Sequence, residues 1–99
     1  MLPYTISDRA ERDLLAIRRW YDAQGPGLGD KVLDEVRAAI DIARERPMSC
    51  PTHRGKARKI RCKRSPYRVY FEFPDDQIIV AAVYHTARKP SRWNDPDRE

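Results

Sequence analysis

Ninety-nine residues, 40% of them hydrophobic and 35% charged, give one domain with a modest core and no room for a large internal pocket. No run approaches the roughly 20 apolar residues that cross a bilayer, and the opening Met1-Leu2-Pro3-Tyr4-Thr5-Ile6 lacks the basic and apolar blocks of a signal peptide. A cytoplasmic chain with no membrane partner is therefore expected.

Charge is placed unevenly. Residues 1–49 carry eight Lys/Arg against nine Asp/Glu, whereas residues 50–99 carry twelve against six. The second half thus calls for an anionic partner, either nucleic acid, ribosome or an acidic protein segment. Cys50 and Cys62 form no Cys-x-x-Cys pair, which argues against a disulfide framework or a zinc site.

In chain order, Tyr4 to Ile6 reads as a short strand, and Ser7 or Asp8 then caps a helix. Asp8 and Glu11 have the spacing of a capping box. Ala10, Leu14, Ile17 and Tyr21 form one apolar stripe, with Leu15 and Trp20 off its centre, either widening it or facing a partner. Gly25-Pro26-Gly27 supplies a turn. A second helix starts near Leu28, carries Val32, Val36, Ala39, Ile40 and Ala43 inward, and stops at Pro47. Met48 to Lys56 reads as irregular. The period then changes from 3.6 to 2: Ala57–Lys63, Tyr67–Phe73 and Ile78–His85 are strands, separated by Ser65-Pro66 and Pro74-Asp75-Asp76. Residues 87–99 form a loosely packed tail with Trp93 as its large anchor.

Matching apolar to apolar residues across the strands predicts Cys62 opposite Val69 and Ile60 opposite Phe71. It likewise predicts Phe73 opposite Ile78, Phe71 opposite Val80 and Val69 opposite Ala82. The helical hairpin covers that face. The other face then carries Lys59, Arg61, Lys63, Arg68 and Tyr70 beside an apolar stripe of Ile79, Ala81 and Val83. Either Trp93 folds over this stripe or a partner binds it, an acidic helix or strand suiting the basic neighbours.

No phosphate-binding glycine loop, zinc signature or nucleophile elbow is present; no metal and no cofactor are expected. Asp22, Asp30 and Asp34 read as solvated helix positions. For RNA cleavage, Arg61, Arg68, His85 and Arg88 are the residues to test, with His85 moving a proton and the arginines stabilising phosphorane-like charge. Such a reaction needs proton transfer in both directions, and His85 has no evident acid–base partner, so binding leads over catalysis.

Several segments together resemble the ParE-type toxins of the RelE/ParE toxin–antitoxin superfamily. They are Ala10-Glu11-Arg12-Asp13-Leu14-Leu15-Ala16-Ile17 with Trp20-Tyr21, then Gly27-Leu28-Gly29, and Val36-Arg37-Ala38-Ala39-Ile40-Asp41-Ile42 ending at Pro47. Ser65-Pro66-Tyr67-Arg68-Val69-Tyr70-Phe71 is the strongest block; Ile78-Ile79-Val80 and Val83-Tyr84-His85-Thr86-Ala87-Arg88 follow, with Pro90 and Trp93 beyond. The resemblance spans nearly the whole chain. It implies an α+β fold of order β-α-α-β-β-β, neutralisation by a cognate antitoxin, and inhibition of DNA gyrase in bacteria without a catalytic site. A RelE-like, ribosome-dependent mRNA endonuclease is the alternative, and the tail Trp93-Asn94-Asp95-Pro96-Asp97-Arg98-Glu99 lacks the terminal tyrosine of many such enzymes. A non-toxic regulatory binding module is the second alternative.

Overall fold

The computed structural model describes residues 1–87. Strand β1 (Tyr4–Ile6) leads into helices α1 (Asp8–Gln24) and α2 (Leu28–Glu45), followed by strands β2 (Arg58–Arg61), β3 (Tyr67–Glu72) and β4 (Ile78–His85). The strands form one mixed sheet in the order β1-β4-β3-β2, with β1 parallel to β4 and the other pairings antiparallel. The α1–α2 hairpin lies on one face, giving the expected α+β architecture.

Local chemistry explains the boundaries. Ser7 settles the open choice of cap: its hydroxyl accepts the Ala10 N–H at 3.1 Å and donates to the Ala81 carbonyl at 3.0 Å, so one side chain starts α1 and ties it to β4. Gly27 begins α2 with a φ of 80°, a conformation costly for other residues. Gly29 allows the helices to meet closely, because a Cβ there would stand 2.9 Å from the Arg18 carbonyl oxygen. Its N–H donates to Asp22 Oδ1 at 2.8 Å. Proline at position 47 cannot continue α2 and instead opens the turn Pro47–Ser49. Between β3 and β4, Asp75 and Asp76 both adopt positive φ, at 52° and 59°, which a short polar side chain tolerates better than a branched one.

The core lies between hairpin and sheet. Ala10, Ile17, Val36, Ala39, Ile40 and Ala43 meet Cys62, Val69, Phe71, Ile78 and Val80. These are the stripes expected from the sequence, with each helix presenting its 3.6-period face and each strand its alternate residues.

Two registers differ from the expectation. Strand β2 pairs Ile60 with Val69 and Arg61 with Arg68, two residues from the predicted alignment. The Cys62 N–H donates to the Tyr67 carbonyl at 2.9 Å, closing a shorter turn and drawing Tyr67 into the sheet. A shift of two keeps every side chain on its side, so the faces survive. The second difference changes faces. Phe71 pairs with Val80 as expected, but Tyr70 pairs with Ala82 and Val69 with Val83, leaving Ala81 as an inserted bulge residue. Beyond the bulge, β4 turns over: Val83 joins the core at 3% exposure, and Ala82 and Tyr84 take the outer face. The predicted stripe of Ile79, Ala81 and Val83 therefore does not exist as one surface.

Candidate functional site

Two surfaces carry the chemistry, one on each side of the sheet. On the outer side, successive cross-strand rows read Lys59–Tyr70–Ala82 and Arg61–Arg68–Tyr84. Tyr70, Ala82 and Tyr84 form a second apolar cluster, with Tyr70 at 1% and Tyr84 at 6% exposure. Arg9 of α1 donates to the Tyr84 hydroxyl and holds its guanidinium 5.3 Å from that ring's centroid. His53, from the segment before β2, meets Tyr70 edge-on at 5.0 Å. The aromatic strip on this side is thus sealed within the protein, while Arg61 stays exposed and Lys59 and Arg68 partly so.

Among the described residues, no acid forms an ion pair with these cations. Arg61 lies directly opposite Arg68, and Glu72 is the one acidic residue in β2, β3 and β4. Among the described residues, every ion pair lies on the helices, and none involves Lys59, Arg61, Lys63, Arg64 or Arg68. Lys63 is exposed in the turn after β2.

β1 pairs only with Ile78–Val80, so on the edge away from β3 the far half of β4 has no strand beside it among the described residues. Helix α1 takes that place. Asp13 Oδ2 accepts the Val83 N–H at 3.0 Å, and its other oxygen lies 3.4 Å from Arg9 Nε. Beside this junction runs an open groove of about 520 Å³, lined by Asp13, Ile17, Trp20, Tyr21, Tyr67 and His85 among others. Its rings follow one another edge to face: Trp20 to Tyr21 at 4.9 Å, Tyr21 to Tyr67 at 6.3 Å and Tyr67 to His85 at 5.4 Å. Trp20 is 59% exposed, and Leu15, on the outward face of the same helix, 47%.

His85 pairs with Tyr67 in register and lines this groove, while Arg61 and Arg68 project from the other side of the sheet. Its Nδ1 accepts the Ala87 N–H at 3.1 Å, leaving Nε2 as the nitrogen available for other contacts. Sequence reading placed His85 at the end of the basic face. The bulge at Ala81 moves it to the other one. Of the remaining candidates, Lys59, Arg61, Arg68, Tyr70 and Ile79 lie on the outer face, Ala81 is the bulge, and Val83 is core. Arg88 and Trp93 lie outside the described residues.

Neither thiol is activated. Both Cys50 and Cys62 are buried, and that burial pushes their pKa values up. His53 shifts the other way: burial first, then the Lys59 and Arg54 cations, hold its imidazole below the ordinary value. His53 is a residue of this surface that its sequence context, an irregular segment beside Arg54 and Lys56, does not place there. It comes from an irregular stretch whose return over β2 rests on backbone bonds, from Lys59 N–H to the Pro51 carbonyl and from His53 N–H to the Ala57 carbonyl. No periodicity announces such contacts.

The architecture is shared with solved toxins of toxin–antitoxin systems. A chromosomal ParDE system from P. aeruginosa contains a chain that superposes with a TM-score of 0.68 at 17% identity, covering 86% of this chain and 96% of that one. The intact E. coli RelBE complex gives 0.63 at 17% identity, over 89% of this chain and 100% of the other. Isolated E. coli RelE gives 0.63 at 16% identity, over 99% and 98%. The fold is thus RelE/ParE-like. More particularly, residues 4–90 match the ParE toxin of the type II toxin–antitoxin system parDE, and the chain belongs to that family. No curated protein sequence matches it. No helix among the described residues is long and apolar enough to cross a membrane.

Proposed function

We propose that this toxin acts by binding DNA gyrase and is held inactive by a cognate antitoxin. One observation carries the preference for binding over RNA cleavage: the cations suited to a phosphorane lie on one side of the sheet, and His85 lines a groove on the other. Cleavage by proton transfer needs both groups around a single phosphate. With Arg61 and Arg68 facing away from His85, the described members of the candidate set Arg61, Arg68, His85 and Arg88 do not converge.

Antitoxin docking is better supported at α1 than at the outer strip. Leu15 and Trp20 are large, apolar and exposed, and Arg12 and Arg19 flank them on the same helix. An amphipathic segment with acidic residues fits this combination, with the groove beside Trp20 receiving its anchor side chains.

The test is a supercoiling assay with purified gyrase. The antitoxin-free chain is expected to inhibit supercoiling or accumulate trapped DNA cleavage, and to leave ribosome-bound mRNA intact. Cutting at the ribosomal A site with gyrase unaffected makes the endonuclease reading correct. Normal growth on induced expression, with and without the antitoxin, leaves the regulatory module.

A further inference from the structure

We infer that the basic outer face of β2 and β3 is a contact surface for the phosphate backbone of duplex DNA. The starting point is the directly opposed pair of Arg61 and Arg68. Like charges facing each other across two strands repel, and no acid among the described residues offsets them. Lys59 occupies the next row, and Lys63 follows at the end of β2, whereas Arg64 turns toward α2, where its N–H donates to Glu35. An anion lying along the strands relieves this repulsion and neutralises several cations together.

What the face lacks identifies the anion. A protein partner gains most of its affinity from apolar anchors placed in desolvated pockets. Here the apolar residues between the cations, Tyr70, Ala82 and Tyr84, are already buried within the protein. Charge is offered without an anchor, which suits a phosphate backbone and suits an acidic peptide poorly. The same burial separates duplex from single strand, because single-stranded nucleic acid is held by stacking bases on exposed rings. These tyrosines present no free ring face of that kind. DNA in preference to RNA rests on the gyrase reading, since gyrase works on duplex DNA.

Fluorescence anisotropy with the full chain, free of antitoxin, provides the test. The probes are a short labelled DNA duplex of mixed sequence, its single strand, the matching RNA duplex and polyglutamate, starting at about 50 mM salt and titrated upward. The expected result is duplex DNA binding in the roughly micromolar range that weakens steeply with salt. The double variant Arg61→Gln/Arg68→Gln should lose at least about tenfold in affinity and reduce the log–log salt slope by about 1.8, or about 0.9 per lost phosphate contact. Thermal melting of the variant establishes that it is folded; if it is not, the single variant Arg61→Gln at an exposed position gives the readout, with a slope change of about 0.9. Absence of duplex binding, unchanged binding by the folded variant, or tighter binding of the single strand, the RNA duplex or polyglutamate overturns the inference. A chain that inhibits gyrase but ignores DNA overturns this inference alone. One that binds DNA but spares gyrase overturns the gyrase reading alone.

Discussion

The inner and outer faces of this sheet both bury aromatic rings, but they do so with different neighbours. Inside, Phe71, Val69, Ile78 and Val80 meet the apolar stripes of two helices, and the one cation of the strands on this side, Arg58, lies at the edge against Phe73 and the Cys50 carbonyl. Outside, Tyr70 and Tyr84 are buried beneath polar and basic company, with His53 against one and Arg9 against the other. The inner face therefore supplies the fold, and the outer face supplies a fixed platform on which Arg61 is exposed and Lys59 and Arg68 partly so. A patch of charge with its oily floor sealed is chemically distinct from a patch with that floor open. The floor that stays open is on α1, at Leu15 and Trp20.

Substitutions can break this contrast, beginning with the largest effect. Phe71→Ala removes a fully buried ring from the inner core and should lower stability by about 3–5 kcal/mol in urea unfolding. Gly29→Ala forces a Cβ against the Arg18 carbonyl and should cost about 1–3 kcal/mol, also read by unfolding, with the α1–α2 contact loosened first. Asp13→Ala strips the acceptor from the Val83 N–H at the unpaired edge of β4. A loss of about 1–3 kcal/mol is expected, together with faster amide exchange at Val83. On the outer face the sign reverses: Arg61→Gln relieves a like-charge pair and should stabilise by up to about 1 kcal/mol. A stability loss there would mean that the arginine pair is held by contacts within the fold.

A pH titration sharpens the same contrast. Because folding holds His53 below its ordinary value of 6.5, the unfolded chain binds the proton more readily. Stability from this group is therefore complete above pH 6.5, declines as pH falls through that value and levels off once the folded imidazole is also protonated. His53→Gln should flatten this part of the profile, measured as urea midpoints at about pH 5 and pH 7.

Much of this was legible in the residues. The helix stripes follow from Ala10, Ile17, Val36 and Ile40 at helical spacing, and the inner face of β3 from the alternation of Val69 and Phe71 with Arg68 and Tyr70. The bulge was not, because Ile78-Ile79-Val80-Ala81-Ala82-Val83 is an unbroken apolar run in which either alternate set can face the core. What selects the set is the Ser7 hydroxyl on the Ala81 carbonyl and the Asp13 carboxylate on the Val83 N–H, from residues 74 and 70 positions away in sequence. That single inserted residue moved Val83 and His85 across the sheet, and with them the reading of the site. The two-residue slip of β2 was equally hidden, since both alignments set Ile60 and Cys62 opposite apolar or aromatic residues.

Division of the chemistry between the two sides of the sheet is tested most directly by growth arrest after induced expression of His85→Ala, with the folded state verified by thermal melting. Arrest at the wild-type level is the predicted result, because no proton transfer by this imidazole is required to bind gyrase. Loss of arrest in a folded variant, accompanied by loss of ribosome-dependent mRNA cutting that the unaltered chain performs, contradicts it.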